Sequence, residues 1–260
     1  MGLDANLARA DGHIIQELGF VLTKTPDGFD GTAPVIPEIC VPGTRAIRTS
    51  ILATWTDLCA GHLALDAIAP RVPVTLELDV HVYPQRHWCD TIHAAARPIK
   101  IGRSVIVASV EFVDADGDPV AVGAASFMAA PDPRLEFRAA TTEVMALANE
   151  PRRLEMPFAE RAGCTITEPG TAVLHRSDDG MNASNTINGG LLALAVEEAA
   201  LSLTPGTTLC SLAMRYVRPL RIGPAIATAD VRDGVGRVEV RDGGDGDRLA
   251  VTATTRTFAG

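Results

Sequence analysis

With 260 residues, 47% of them apolar, the chain has the length for one large or two ordinary domains and ample material for a core. Its formal charge of −9 argues against a general nucleic-acid binder, which carries a basic stripe. No apolar run is long enough to cross a membrane, and the opening MGLDANLARADGH lacks the basic-then-apolar layout of a signal peptide, so a cytoplasmic protein is expected.

The cysteines (Cys40, Cys59, Cys89, Cys164 and Cys210) are odd in number, scattered and without a C-x-x-C. They read as buried thiols rather than as a disulfide framework or a zinc site. His13, His62, His81, His87, His93 and His175 form no H-x-x-x-H pair, and no metal is expected.

In chain order, residues 3–19 read as a short amphipathic helix with Leu7, Ile14, Ile15 and Leu18 on its apolar side. GFDGTAP, 28–34, reads as a loop entering an extended segment over 35–41, and Pro42-Gly43 as a turn. Arg48-Thr49-Ser50 leads into the apolar helix ILATWTDLCAGHLALDAIA, whose first acid is Asp57. From 72 to 82 the chain alternates, with Val74, Leu76, Leu78, Val80 and Val82 on one face and Thr75, Glu77, Asp79 and His81 on the other. That is the pattern of a half-buried antiparallel strand. Strands follow at about 91–97, 104–113 and 119–129, with DADGD, 114–118, as a hairpin turn. The proline-punctuated stretch 131–156 reads as a linker with one short helix near 140–149. Beyond it, 164–175 is extended, an Asn-rich loop and a second apolar helix come next, and strands are expected near 208–217, 225–232, 235–241 and 248–258.

The two halves line up. Gly31-Thr32-Ala33 recurs as Gly170-Thr171-Ala172, Thr49-Ser50 falls on Gly189-Gly190 140 residues later, and Asp57 falls on Glu197. Gly102-Arg103 has a counterpart in Gly236-Arg237. The repeats are placed at 1–133 and 157–260, with 134–156 as the linker. Each half reads as helix, long antiparallel sheet and hairpin, an α+β arrangement.

The stretch NASNTINGGLLALAVEE, 182–198, carries the chemistry. Asn188-Gly189-Gly190 opens an apolar helix, where backbone N–H groups lack intrahelical partners and attract negative charge. Glu197 and Glu198 are the only charges on that helix, and a carboxylate on a buried helix demands a partner or a task. The stretch resembles the signature of the hotdog-fold acyl-CoA thioesterases, in particular the PaaI-like and 4-hydroxybenzoyl-CoA thioesterase-like groups. That signature is an Asn, a His-Gly-Gly six residues on, and an acid nine residues after the His. Here Asn182, Gly189-Gly190 and Glu197 stand at those offsets, with Asn188 in the place of the usual His.

The resemblance, together with the repeat, implies a tandem hotdog: two repeats, each with an antiparallel sheet wrapped round a central helix. It implies hydrolysis of an acyl-CoA thioester without metal or redox cofactor, coenzyme A arriving as part of the substrate. Hotdog sites lie between subunits, with loop and glycines from one and the acid from the other. On a tandem chain this predicts two unequal sites. The first joins Asn182, Asn188, Gly189 and Gly190 to Asp57, with Thr75 as a hydroxyl on the next strand. The second joins Arg48, Thr49 and Ser50 to Glu197, lacks the glycines, and carries a cation where the loop should be neutral. The first is expected to work, with Asp57 as base or nucleophile and the Gly189 N–H as oxyanion donor. Glu197 is expected to be degenerate or ligand-shaping.

The plainer readings stand beside these. Asp57 is also explained as a helix acid capped by Thr54 or Thr56, Glu197 as the ion-pair partner of Arg48, and Gly189-Gly190 by close helix packing. Arg45, Arg103 and Arg221 are candidates for the phosphates of coenzyme A, or plain surface. A non-hydrolytic acyl-CoA-binding protein is the alternative function, favoured by the missing His. An enoyl-CoA hydratase is the other, since Asp57 and His62 have the spacing of a D-x-N-P-I-H signature. The stretch DLCAGH lacks its Asn-Pro, and five helical residues separate two side chains by about 140°. No nucleic-acid or membrane partner is expected, and a homodimer is plausible for a chain with hotdog sheets.

Overall fold

A computed structural model of the chain describes residues 13–84, 89–137 and 153–258. The helix expected over 3–19 is described only from residue 13: a 3-10 turn, Ile14–Leu18, buries Ile14, Ile15 and Leu18 and stops at Gly19 with φ 68°. The short helix expected near 140–149 lies outside the described residues.

The first repeat contains β1 (Val21–Thr25), β2 (Gly28–Pro34), helix α1 (Thr49–Ile68), β3 (Pro73–Val82), β4 (Thr91–Ile101), β5 (Ile106–Asp114) and β6 (Pro119–Ala129). The second contains β7 (Cys164–Glu168), β8 (Thr171–Leu174), helix α2 (Gly189–Ser202), β9 (Thr208–Tyr216), β10 (Ala225–Arg232), β11 (Val235–Asp242) and β12 (Arg248–Phe258). The twelve strands among the described residues form one sheet in the order β1-β2-β4-β5-β6-β3-β9-β12-β11-β10-β8-β7. Read from each end, the two halves of that order are the same. β3 and β9 join them as an antiparallel pair, Leu78 opposite Met214 and Val80 opposite Leu212. The fold is a tandem hotdog, with α1 and α2 inside the curve of the sheet.

Both helices are apolar nearly all round because both are enclosed: sheet on one side and the other helix close by. Their approach is set by small residues. A Cβ on Gly190 would collide with Thr54 across the helix pair, and one on Gly123 of β6 would collide with Thr56. The Thr54 and Thr56 hydroxyls bond the carbonyls of Ser50 and Leu52 at 2.7 and 2.8 Å, which satisfies them inside the core. They do not cap Asp57.

Four expectations are corrected. GFDGTAP is not a loop but β2, with Phe29, Gly31 and Ala33 facing the core. Its alternation is disguised because a Gly holds one inward position and an Asp an outward one. The extended segment expected over 35–41 is instead a 3-10 turn at Pro37–Ile39. Gly102 lies in the β4–β5 turn whereas Gly236 lies within β11, so the counterpart of that turn is Asp233-Gly234. Residues 131–137, expected as the start of the linker stretch, pack on the first repeat. Ala130 N–H donates to Val72, Val72 N–H to Leu135 and Phe137 N–H to Pro70, so the first repeat runs through Phe137.

The fold's most consequential irregularity is in β3. Thr75 pairs with Phe127 and Glu77 with Ser126, so Leu76 is an extra residue on its strand. A bulge shifts the side-chain alternation by one. Strict alternation puts Thr75 on the outer face; the bulge turns it inward with Leu78 and Val80.

Candidate active site

Asp57 is in the middle of α1, and the inward-turned Thr75 hydroxyl donates to its Oδ1 at 2.8 Å. Both border a cavity of about 560 Å³ between the repeats. The second repeat contributes Asn182, Ser184, Asn188 and Gly189 to the polar part of its wall, and the first contributes Leu58, Leu65, Val74 and Phe127 to the apolar part. Burial raises the Asp57 carboxyl from the ordinary 3.8 to about 6, with the Thr75 hydrogen bond opposing. A carboxyl so poised changes its protonation near neutral pH, as acid–base work requires.

The loop opposite is built by its asparagines. Asn182 Oδ1 accepts from the N–H groups of Ser184 and Thr186 at 2.9 and 3.1 Å, which ties the turn before α2. Asn188 is the N-cap, its Oδ1 accepting from Gly190 N–H at 2.8 Å. Gly190 lies behind the cavity against Thr54. That leaves the Gly189 N–H at the helix N-terminus, without an intramolecular acceptor among the described residues.

Tyr216, the last residue of β9, completes the wall and has no place in the motif. Its hydroxyl donates to Gly189 O at 3.1 Å, and burial first, then the Asp57 charge, raises its pKa well above 10. A Cβ at position 189 would lie 2.9 Å from that hydroxyl, so Tyr216 is one reason for the glycine. The only sequence signal for Tyr216 is scarcity, as one of two tyrosines in the chain.

The second predicted site has the same parts and a different outcome. Glu197 is 0% exposed; it accepts from Thr49 N–H at 2.8 Å, from the Ser50 hydroxyl at 2.6 Å and from Arg48 Nη1 at 3.3 Å. Arg48, 1% exposed, also pairs with Glu198 at 2.6 Å. Desolvation pushes the Glu197 pKa up, against the pull of Arg48. Thr49 N–H is the repeat equivalent of Gly189 N–H, so here the acid itself fills the donor position. Glu is one methylene longer than Asp and reaches across. Arg48, Thr49, Ser50 and Glu197 thus form a buried ion cluster apart from the Asp57 cavity, which none of them borders, and Arg48 lies instead at the wall of a smaller one.

His62 also borders the cavity, against the expectation that Asp57 and His62 share no face. The cavity spans the arc of α1 from Asp57 past Gly61, Leu58 and Leu65 to His62, wide enough to hold both ends of a 140° separation. The His62 Nδ1 lies 2.8 Å from Leu58 O, and burial lowers its pKa from 6.5, so the ring is a neutral Nδ1–H donor to its own helix. Of the arginines considered for an anionic ligand, Arg221 is at the cavity wall with exposed Arg218 beside it, whereas Arg45 and Arg103 do not border it.

Residues 50–121 match the family model of the Thioesterase superfamily. No curated protein matches the chain in sequence. Among solved structures, an acyl-ACP thioesterase from Bacteroides thetaiotaomicron is 14% identical with a TM-score of 0.62, over 94% of this chain and 99% of that one. The 12:0-ACP thioesterase from Umbellularia californica is 12% identical with a TM-score of 0.63, over 88% and 96%. The tesB protein of Mycobacterium avium subs paratuberculosis is 12% identical with a TM-score of 0.60, over 99% of both chains. At these identities the likeness is one of fold, and it spans both repeats. No helix among the described residues is long and apolar enough to cross a membrane.

Proposed function

We propose that this chain, a double hotdog whose residues 50–121 match the Thioesterase superfamily model, is a thioester hydrolase in which one composite site between the repeats hydrolyses an acyl-CoA. One observation carries the reading. Of two carboxylates in equivalent positions, Glu197 is sealed by the N-terminus of α1, while Asp57 opens on a cavity it shares with Gly189, whose N–H has no acceptor among the described residues. The thioester carbonyl would be placed with its oxygen toward Gly189 N–H and its carbon toward Asp57. The helix N-terminus would stabilise the oxyanion as charge develops. Asp57 would take a proton from water as the water oxygen bonds to the carbonyl carbon, or attack that carbon itself. On the water route, collapse breaks the C–S bond and the proton taken by Asp57 leaves on the thiolate of coenzyme A; on the nucleophilic route, collapse leaves an acyl-aspartyl anhydride, which water then splits, regenerating the carboxylate and supplying the protons of the acid and the thiol. Thr75 holds the carboxylate, and Tyr216 holds the Gly189 peptide from behind. Arg218 and Arg221 provide cations near the entrance for the phosphates of the carrier.

The test is thiol release from acyl-CoAs of graded length by wild type, Asp57→Asn and Glu197→Gln. Turnover abolished by Asp57→Asn and retained by folded Glu197→Gln supports the single working site. The reverse outcome moves the chemistry to the other repeat. Acyl-CoA that binds with no thiol released by wild type makes the chain a binder instead.

A further inference from the structure

Gly61 is the one glycine inside α1, and nothing in the packing asks for it. A helix-interior Gly costs about 1 kcal/mol relative to Ala. Gly190 and Gly123 have a reason, since a methyl group at either would strike a threonine. At Gly61 a Cβ would meet nothing closer than Phe127, at 3.8 Å, an ordinary van der Waals distance, and no left-handed φ is needed there. The space that Gly61 leaves belongs to the cavity. Asp57, Gly61 and Leu65 are four residues apart, so they stack along one face of α1 and all three border it. From Asp57 to Leu65 the helix rises about 12 Å. Around that run the wall is mostly apolar, with Leu58, Val74, Leu76, Phe127 and Leu135, and the neutral ring of His62 stands beside Gly61.

Resting on the hydrolase reading above, we propose that the acyl tail runs from Asp57 into the first repeat along α1, and that Gly61 determines how long a tail is accepted. The substrate class this fits is an unbranched aliphatic acyl group of medium length. A short acyl group would leave the run from Gly61 to Leu65 empty, and the polar wall of the second repeat is left for the carrier.

The experiment compares wild type, Gly61→Ala and Gly61→Leu on butyryl, decanoyl and palmitoyl thioesters of coenzyme A. Alongside it, decanoate displaces a fluorescent fatty acid from each protein, and each is melted. Gly61→Leu should lower the decanoyl-to-butyryl ratio of kcat/KM at least tenfold, mainly through KM, with Gly61→Ala between it and wild type. Both variants should melt at or above the wild-type temperature, because the substitution removes a helix-interior glycine. An unchanged ratio, or a lowered melting temperature that shows Gly61 to be a packing residue, would overturn the proposal. Should wild type release no thiol at all, the hydrolase reading alone fails. The displacement then decides the tail's place: decanoate weakened at least tenfold in Gly61→Leu keeps it, and unaltered affinity overturns it.

Discussion

Replacing Asp57 by Asn should abolish turnover and at the same time stabilise the protein, by an amount that depends on pH. The folded carboxyl ionises at about 6 against an ordinary 3.8, because burial disfavours the charge more than Thr75 favours it. A raised acid binds its proton more tightly in the folded state, so stability falls as pH rises from about 3.8 to about 6 and stays lowered above that. The difference corresponds to at most about 3 kcal/mol, less where cavity water solvates the carboxylate. Asn keeps the shape and still accepts from Thr75, but never ionises. Wild type and Asp57→Asn should therefore unfold alike near pH 4. At pH 8 the variant should melt up to about 6–12 °C higher, at 2–4 °C per kcal/mol for a chain of this size. Calorimetric melts across that range read the effect directly, and the wild-type pH–rate profile should rise through about 6 if Asp57 acts as base. An Asp57→Asn protein no more stable than wild type at pH 8, or a difference that does not vary with pH, would refute the reasoning.

Three further outcomes are expected. Thr75→Val removes the hydrogen bond that favours the ionised carboxylate, so the acidic limb of the pH–rate profile should move to higher pH; an unmoved limb separates Thr75 from Asp57. Arg48→Met leaves the buried Glu197 without its cation and should cost about 3–5 kcal/mol in denaturant unfolding, while the folded fraction keeps its turnover. Activity lost beyond the unfolded fraction would give the second cluster a catalytic part. Gly190→Ala forces a methyl group against Thr54 and should cost about 1–3 kcal/mol, measured by thermal melts; a neutral result would mean that the helices separate without penalty.

Most of the fold is legible in the sequence because the evidence for it is periodic and duplicated. Strands β4–β6 and β9–β12 alternate, their hairpin turns are rich in Asp and Gly, and the offset of 140 aligns both central helices at their first residues. β2 escapes because periodicity weighs hydrophobicity, and the inward residues Gly31 and Ala33 carry little of it. The pairing of Asp57 with the Gly189 loop is legible only through the repeat and the family resemblance, since they lie 132 residues apart in sequence and local pattern says nothing about them. Thr75 is assigned to the site although its alternation places it outside, and the bulge that resolves the conflict has no composition signal. Tyr216 is illegible because its task depends on where β9 ends relative to α2. The sealing of Glu197 follows from one methylene and one cation, both visible as letters, yet the reach across to Thr49 exists only once the helices are packed.

Two identical subunits meeting on a two-fold axis must make both sites alike, and any substitution strikes twice. Joining the two copies into one chain releases that constraint while β3 still pairs with β9 across the seam. Positions 48–50 and 188–190 are then free to drift apart, and so are 57 and 197. One pair has become a buried ion cluster, and the other holds an ionisable group against its own stability. A lineage that split this chain back into a symmetric pair would have to choose one arrangement for both.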